Sequence, residues 1–395
     1  MAIFASRPLL LVLVACTALS TTVRAIILPL PLQLRMSRPR VLATPVKSSP
    51  SSNASRALPV FFFHGILSNA SSAEHYARNL TAEGRTVVAL NFCPERCSVS
   101  ALQHQVQLAI KNLESIIQAS PKTFQDGYIF VGHSQGGVLA RAVLEEWDAH
   151  DVKALISLAG VQNGVFYGPQ AADQLALKIF RSGFGSTIFP SDFVNFNNMS
   201  ALNARGQFQY ELDRLGWAHP EAQNRSSGFN LARSPALHEH WAATNPFLPV
   251  INNVNPCPTT NRSEEDNCRT AQLRRRDNFL RLEQAHFFAS PDDGVVAPWQ
   301  SSILAQYEDL SSEREIETKF EDLRIIFMEH TAEYRQDTYG LQTLMRRDGI
   351  FFHVYPNISH NCWVTDSVAV VDGVVVPCSF SKVYDEHVYP VLAEF

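Results

Sequence analysis

Short apolar runs alternate with longer amphipathic stretches in the first part of the chain. Residues 60–63 (VFFF) and 86–92 (TVVALNF) are too short for helices and hold few polar positions, which is typical of strands buried on both faces of a parallel sheet. Residues 72–83 and 100–119 instead place apolar side chains at helical spacing. In the second stretch the predicted apolar face is Leu102, Val106, Ile110, Leu113 and Ile117. The alternation predicts right-handed βαβ units.

A third apolar run, residues 127–131 (GYIFV), leads into GHSQGG at 132–137, and helical periodicity continues over 135–148. This strand, turn and helix would present Ser134 in a nucleophile elbow, flanked by glycines because a Cβ would strike the strand or the helix. The first N–H groups of the helix would point at whatever the serine attacks. The pattern predicts a nucleophilic Ser134; the alternative is a small-residue turn without chemistry.

The rhythm breaks after a fourth apolar run at residues 153–158 (KALISL). The region 161–284 mixes aromatic residues, asparagine and proline, and it is too long for a plain loop. We predict an insertion with its own helices. Its apolar residues around Phe180, Phe184, Phe189 and Phe193 suit a lid or an acyl-chain groove, or else they form the core of the insertion itself.

The strand pattern resumes at residues 285–289 (AHFFA) and ends with 349–355 (GIFFHVY). A helix is predicted over 299–307, a polar helical stretch reaches residue 346, and a last helix covers 385–394. The whole pattern predicts an α/β-hydrolase fold, with a mostly parallel sheet, helices on both faces and the reactive site at the carboxyl ends of the strands.

A nucleophilic serine needs a base to take its proton and a carboxylate to hold that base. In this fold the partners follow later strands in the order Ser, Asp, His. His360 stands just after the last predicted strand and is the predicted base. The other candidates fit less well, because His353 lies inside a strand pattern, His286 begins a strand, and His387 lies in the terminal helix.

Two carboxylates, Asp292 and Asp293, follow the strand at 285–289. Asp293 opens the run DGVVAP, whose valines, Val295 and Val296, are expected to enter the core and turn the acid toward the histidine. Asp293 is therefore the predicted acid. Asp292 remains the alternative, and would otherwise cap the following turn.

Acyl transfer also needs donors for the developing oxyanion, one after the nucleophile and one after the first strand. The backbone N–H groups of Gln135 and Ile66 occupy these two positions. Losing such a donor typically costs on the order of 3 kcal/mol of transition-state stabilisation.

Composition narrows the function further. The chain has 395 residues, 46% of them hydrophobic, which is enough for one large core. Its formal net charge of −5 provides no basic face, and we read Arg274-Arg275-Arg276 as a solvated surface. No nucleic-acid partner is expected.

The N-terminus resembles a secretory signal peptide over residues 1–25, in which Arg7 precedes an apolar core of about 11 residues, against the ~20 that a membrane span requires. A signal anchor is the alternative. Residues 26–58 are predicted to be a flexible linker or a trimmed pro-segment, and residues 59–395 to be the hydrolase domain. We expect a mature chain in the secretory pathway without a transmembrane segment.

Cysteines and sequons agree with that route. Cys16 lies in the signal peptide, and the other six form three close pairs that suggest local disulfides, although 15 pairings are open. The pairs are Cys93 and Cys97, Cys257 and Cys268, and Cys362 and Cys378. Candidate glycosylation sites are Asn53, Asn69, Asn79, Asn198, Asn224, Asn261 and Asn357. No metal-ligand spacing is present, and no metal or cofactor is expected.

Five motifs together resemble the palmitoyl-protein thioesterases, closer to the lysosomal type 2 than to type 1. They are HGIL (64–67), GHSQGG (132–137), ISLAGVQNGVFYGPQ (156–170), PDDGVVAPWQSS (291–302) and NISHNCW (357–363). The resemblance runs from about residue 59 to 378 and implies Ser134, Asp293 and His360 as a triad, with Gln135 and Ile66 in the oxyanion hole. It also implies glycosylation, disulfides and a lysosomal address. The segment 180–281 matches only loosely.

The leading hypothesis is thus a lysosomal or extracellular serine thioesterase acting on long fatty acyl thioesters, a substrate that would bring it into transient contact with lipid. A lipase or carboxylesterase using the same triad is the first alternative. A catalytically inactive hydrolase fold that serves as a secreted binding protein is the second.

Overall fold

The computed structural model describes residues 57–196, 199 and 206–395. The expected signal peptide, nearly all of the predicted linker, Cys16, Asn53 and Asn198 lie outside the described residues.

A six-stranded parallel sheet forms the centre of the domain, with strand order β2-β1-β3-β4-β5-β8. The described strands are β1 Val60–Phe63, β2 Val87–Ala89, β3 Tyr128–His133, β4 Val152–Leu158, β5 Gln284–Ala289, β6 Gln306–Tyr307, β7 Ile325–Ile326, β8 Ile350–Val354, β9 Ser367–Val371 and β10 Val374–Cys378. Two antiparallel pairs, β6 with β7 and β9 with β10, lie outside this sheet.

Helices connect these strands. Up to β5 they are α1 Glu74–Ala82, α2 Leu102–Ala119, α3 Pro121–Phe124, α4 Gln135–Glu146, α5 Ala171–Ile179, α6 Gly185–Ile188, α7 Gln207–Ala218, α8 Pro220–Gln223, α9 Ser227–Leu231, α10 His238–Thr244, α11 Leu248–Ile251 and α12 Arg262–Phe279. After β5 they are α13 Arg314–Lys319, α14 Ala332–Arg335, α15 Leu341–Arg346, α16 Phe380–Val383 and α17 Tyr389–Leu392.

Alternation along the strands fills a core on each face of the sheet. Phe61 and Phe63 of β1 pack with Phe130 among the apolar residues of α2, α4 and α12. Phe62 points to the other face, where it joins α1, α16 and α17. Burying one Phe side chain stabilises the folded state by about 1.5–3 kcal/mol. Because β1 buries Phe side chains on both faces of the sheet, it stabilises the packing of both helical layers. The predicted parallel sheet with helices on both faces is confirmed.

The sheet register aligns the carboxyl ends of the central strands. Phe63 of β1 pairs with Gly132, and His133 at the end of β3 pairs with Leu158 at the end of β4. Leu158 in turn pairs with Phe288 of β5. The loops after β1, β3, β5 and β8 therefore meet at one edge of the sheet.

The prediction that residues 86–92 form a strand buried on both faces was wrong. Strand β2 is half-buried along its whole length, and so is most of β8, because both lie at the edges of the sheet and are covered less completely. His353 in β8 is accordingly half-buried. On α2, Ile110 and Ile117 are also only half-buried.

Four predictions after β5 need correction. The polar helical stretch predicted to reach residue 346 is divided into the short helices α13, α14 and α15, with β7 after the first of them. The helix predicted over 299–307 is a 3₁₀ turn, Trp299–Ile303, which ends at Leu304 in the left-handed region and leads into β6. Strand β8 is not the last, because the hairpin β9–β10 follows it. The terminal helical segment begins at Phe380 rather than 385 and includes a π-helical turn, Tyr384–Val388.

Eight helices, α5 to α12, lie within the described part of the region between β4 and β5, as the predicted insertion requires. Phe180 packs against both Phe189 and Phe208 in a cluster that also includes half-buried Phe193. These aromatic residues thus form a core of the insertion, while Phe184 remains 40% exposed. Among the described residues, no helix is both long and apolar enough to span a membrane.

Candidate active site

Ser134 lies between β3 and α4 with backbone angles φ 57° and ψ −128°. Residues other than glycine rarely adopt a positive φ of this kind. The flanking glycines explain how the turn closes. A Cβ added to Gly132 would lie 2.3 Å from the Gly136 carbonyl oxygen, and one added to Gly136 would lie 2.3 Å from the Phe63 carbonyl oxygen. The steric reason predicted for both glycines is therefore confirmed.

Three side chains form a continuous chain of hydrogen bonds at this edge of the sheet. Ser134 Oγ lies 2.8 Å from His360 Nε2. On the other side of the ring, His360 Nδ1 lies 2.9 and 3.0 Å from the two carboxylate oxygens of Asp293. All three residues are nearly buried, Ser134 and His360 being 6% exposed and Asp293 4%.

Backbone N–H groups hold the Asp293 carboxylate in place. Its Oδ1 atom accepts hydrogen bonds from the N–H groups of Val295 at 2.9 Å and Val296 at 2.7 Å. Val296 is buried, but the Val295 side chain is 37% exposed. The expectation that both valines enter the core was thus wrong: their amides, rather than two buried side chains, orient the acid.

Asp292 points to a different partner. Its Oδ2 atom accepts the N–H of Asn357 at 2.7 Å, which ties the loop after β5 to the loop after β8. The cap predicted for it on the following turn does not form; it caps the histidine-bearing loop instead. Asp292 therefore supports the geometry of the site, whereas in the described part of the chain the carboxylate bonded to His360 is that of Asp293.

His133 supports His360 from behind, a contact that the sequence analysis missed. Its Nε2–H donates to the His360 carbonyl oxygen at 2.8 Å, and the two rings lie 4.9 Å apart. Burial, with the neighbouring His360, lowers the pKa of His133 to about 3, so the ring is neutral. In the sequence, only its position beside Ser134 in GHSQGG could have indicated this role, because its partner lies 227 residues away.

The three histidines that were weighed against His360 lie in a separate group. His286 Nδ1 is 3.1 Å from His353 Nε2, and the His387 ring stacks on Tyr355 at 3.8 Å. Burial lowers the pKa of His286 to about 3 and that of His353 to about 4. His286 Nε2 also donates to Gln284 Oε1 at 2.7 Å, and in the described part of the chain none of the three histidines forms a hydrogen bond with Ser134.

The loop after β1 approaches the nucleophile closely. A Cβ added to Gly65 would lie 3.1 Å from Ser134 Cβ and 3.6 Å from its Oγ. Ile66 follows in a turn, and Gln135 begins α4. Within the described part of the chain, neither the Ile66 nor the Gln135 N–H has a hydrogen-bond partner. Both amides are thus free to bind a ligand atom.

Three disulfides join the predicted close pairs, Cys93 with Cys97, Cys257 with Cys268 and Cys362 with Cys378. The third connects the turn that carries His360, His360–Trp363, to β10. No cluster of three or more potential metal-ligating His, Cys, Asp or Glu side chains occurs in the described ranges.

Five of the seven sequon asparagines are described. Asn224, Asn261 and Asn357 are exposed, and Asn69 and Asn79 are half-exposed. The side chains of Asn69 and Asn261 each cap a helical segment. Whether these asparagines carry glycans stays a prediction.

The amino-acid sequence matches a known protein family. A family model described as palmitoyl protein thioesterase matches residues 59–360. Lysosomal thioesterase PPT2 of Mus musculus is 27% identical over 318 residues, which cover 80% of this chain and 86% of that protein. The Bos taurus protein of the same name is 28% identical, with 80% and 85% covered.

A carboxylesterase structure from the thaumarchaeon Nitrososphaera gargenis covers 86% of this chain and 92% of its own, at 13% identity and a TM-score of 0.36, which is too low to support any conclusion. The sequence match carries the assignment. Because the family model spans most of the chain, from the residue before β1 to His360, the protein belongs to the palmitoyl protein thioesterase family.

Proposed function

We propose that this protein is a serine thioesterase that hydrolyses long-chain fatty acyl thioesters, as in palmitoyl-CoA or S-acylated proteins and peptides. The observation that carries the proposal is the hydrogen-bonded chain from Ser134 Oγ through His360 to Asp293 on a nucleophile elbow. Membership of the palmitoyl protein thioesterase family supports the thioester as the bond that is cleaved.

Acylation begins with His360 Nε2, which accepts the Ser134 hydroxyl proton as Oγ attacks the thioester carbonyl carbon. Asp293 accepts the Nδ1–H of the same ring, so that the unprotonated nitrogen faces the serine. The carbonyl oxygen becomes an oxyanion, and the N–H groups of Gln135 and Ile66 are the proposed donors.

Collapse of the tetrahedral intermediate breaks the carbon–sulfur bond and releases the thiolate. A thiolate leaves without the protonation that an alkoxide requires, so the proton on His360 need not be delivered in the bond-breaking step. The imidazolium of His360 passes its proton to the released thiolate or to solvent. The neutral ring then takes a proton from the water that attacks the acyl-enzyme. The fatty acid departs and Ser134 regains its proton.

The insertion is the proposed source of acyl-chain selectivity. Its aromatic core contains Tyr167 and Phe180, and Ala297 of the loop after β5 belongs to the same cluster. The insertion core therefore extends to the loop that carries Asp293. Relatives named lysosomal thioesterase, together with the sequons and the predicted signal peptide, support a secretory route that ends in the lysosome or outside the cell.

The proposal is tested with a matched pair of substrates, an S-acyl and an O-acyl ester of equal chain length, assayed with the wild type and with Ser134→Ala. We expect preference for the thioester and loss of at least about a thousandfold of activity in the variant. A strong preference for the oxygen ester would identify a lipase or carboxylesterase instead. Failure of Ser134 to react with a fluorophosphonate probe would favour an inactive binding protein.

A further inference from the structure

A buried polar cluster lies between the loop after β1 and the start of α4. We call Ser98, Gln105, Gln135 and Ser227 the Ser98 cluster; each member is at most 1% exposed. These residues come from three separate parts of the chain, namely the segment before α2 with α2 itself, the start of α4, and α9 of the insertion. Buried polar groups at such a junction are maintained only when they are hydrogen-bonded, so their partners define what they hold.

The Ser98 side chain holds the loop that carries Ile66. Its Oγ accepts the N–H of Leu67 at 2.6 Å and donates to the carbonyl oxygen of Glu95. Leu67, the residue after Ile66, has a left-handed backbone with φ 54°. The Glu95 N–H donates to the Ser68 carbonyl oxygen at 2.6 Å, a second bond between the same two segments. Ile66 is thus fixed from its C-terminal side.

The Ser98 carbonyl oxygen holds the other proposed donor residue. It accepts the side-chain amide of Gln135 at 2.8 Å and that of Gln105 at 2.9 Å, and the Ser227 hydroxyl lies 3.3 Å away. Gln135 supplies the amide that follows the nucleophile. A single residue therefore connects the two backbone segments that would form the oxyanion hole.

We propose that Ser98 is a positioning residue that sets the spacing between the Ile66 and Gln135 amides. This inference rests on the proposed function, because it assigns those amides to the oxyanion. Such donors act only when they lie about 2.7–3.1 Å from the developing oxyanion, so a small shift of the Ile66 loop weakens catalysis. The Cys93–Cys97 disulfide closes a short loop immediately before Ser98 and limits how far that residue moves.

The first test compares Ser98→Ala with Ser301→Ala. Ser301 is a matched control, because it is fully buried and its Oγ also accepts a backbone N–H, that of Asn163 at 3.1 Å, in a segment that carries no proposed oxyanion donor. We expect Ser98→Ala to lower kcat by about tenfold to a hundredfold with little change in KM, and to slow fluorophosphonate labelling to a similar extent. Ser301→Ala should keep kcat within about twofold at a comparable fall in Tm.

Two further variants keep the test decisive if Ser98→Ala does not fold. Ser98→Thr retains the hydroxyl and should recover most of the wild-type kcat. Gln135→Met keeps the backbone N–H but removes the side-chain bond to Ser98, and it should also lower kcat rather than raise KM. The proposal is overturned if Ser98→Ala or Gln135→Met keeps the wild-type kcat, or if the kcat loss in Ser98→Ala matches that in Ser301→Ala.

The readout separates this inference from the proposed function. The ratio of variant to wild-type kcat is measured on a short oxygen ester as well as on the thioester. If the wild type cleaves only the oxygen ester, the thioesterase proposal fails while the effect of Ser98 is still measured. If the thioester is cleaved and Ser98→Ala is unaffected, only the positioning role is lost.

Discussion

At the scale of single residues, two adjacent carboxylates have different partners. Asp293 binds the His360 ring and two backbone amides, whereas Asp292 binds the backbone of Asn357. Both residues follow β5 in the same loop, so the difference arises from the directions in which their side chains point. This geometry gives each carboxylate a distinct expected effect when it is substituted.

We expect Asp293→Asn to lower kcat by roughly 10⁴-fold, because an amide no longer holds His360 in the tautomer that accepts a proton from Ser134. Asp292→Asn should have a much smaller effect, since it keeps a side-chain oxygen for the Asn357 amide. Steady-state kinetics on one thioester substrate compare the two. The reverse ranking would exchange the roles of the two residues.

At the scale of structural elements, the short turn His360–Trp363 is held from several sides. The Cys362–Cys378 disulfide joins it to β10, and the Tyr76 hydroxyl of α1 donates to the Trp363 carbonyl oxygen at 2.7 Å. Just before the turn, the Ser359 and Ser367 hydroxyl groups lie 2.6 Å apart. The hairpin thus acts as a brace for the segment that carries the proposed base.

We expect the double change Cys362→Ser and Cys378→Ser to lower kcat by about tenfold to a hundredfold, because His360 becomes mobile. The disulfide spans 16 residues of sequence separation, for which chain entropy predicts roughly 3 kcal/mol of stabilisation. The control is Cys257→Ser with Cys268→Ser in the insertion, which should affect stability or substrate preference more than kcat. Equal loss of kcat in both variants would contradict a specific role for the hairpin.

At the scale of the whole molecule, buried carboxyl groups and buried histidines change the folding stability in opposite directions as pH changes. Burial raises the pKa of Asp173 and Asp213 to about 7, so the stability that their neutral forms provide is lost as pH rises from about 4 to 7. Burial lowers the pKa of His133 to about 3 and of His150 to about 4, so their contribution is lost as pH falls below about 6.5. At acidic pH the buried carboxyl groups therefore stabilise the fold, whereas the buried histidines destabilise it.

We expect Asp213→Asn to stabilise the protein at pH 8 and to change its stability little at pH 4. The amide stays neutral, as the protonated carboxyl does, and one pKa unit corresponds to about 1.4 kcal/mol, so a gain of roughly 2 kcal/mol or more is expected at pH 8. Thermal melts at both pH values measure it. Asp277→Asn, at an exposed position on α12, is the control, and an equal shift in both variants at pH 8 would refute the prediction.

Local patterns in the sequence were sufficient for much of the fold. Strand and helix periods, and the glycines around Ser134, depend on sterics within a few residues. The strands of the central sheet and the role of both glycines were confirmed. The hairpin β9–β10 was also readable, because Asp372 and Gly373 separate two valine-rich runs and both adopt positive φ. It was missed because the strand pattern was taken to end at β8.

The order of residues along the chain also limited the site to a few candidates, but tertiary structure decided their contacts. His360 lies 226 residues from Ser134 and 67 from Asp293, and their approach depends on the sheet aligning the ends of β3, β5 and β8. Edge position likewise made β2 and β8 half-buried. His133 and Ser98 each hydrogen-bond to the backbone of a segment that is distant in sequence. Such bonds could not be predicted, because a backbone carbonyl or amide leaves no mark in the side-chain pattern of the partner. Sequence alone therefore determined the strands of the central sheet and the candidate residues, and the packed sheet determined which atoms meet.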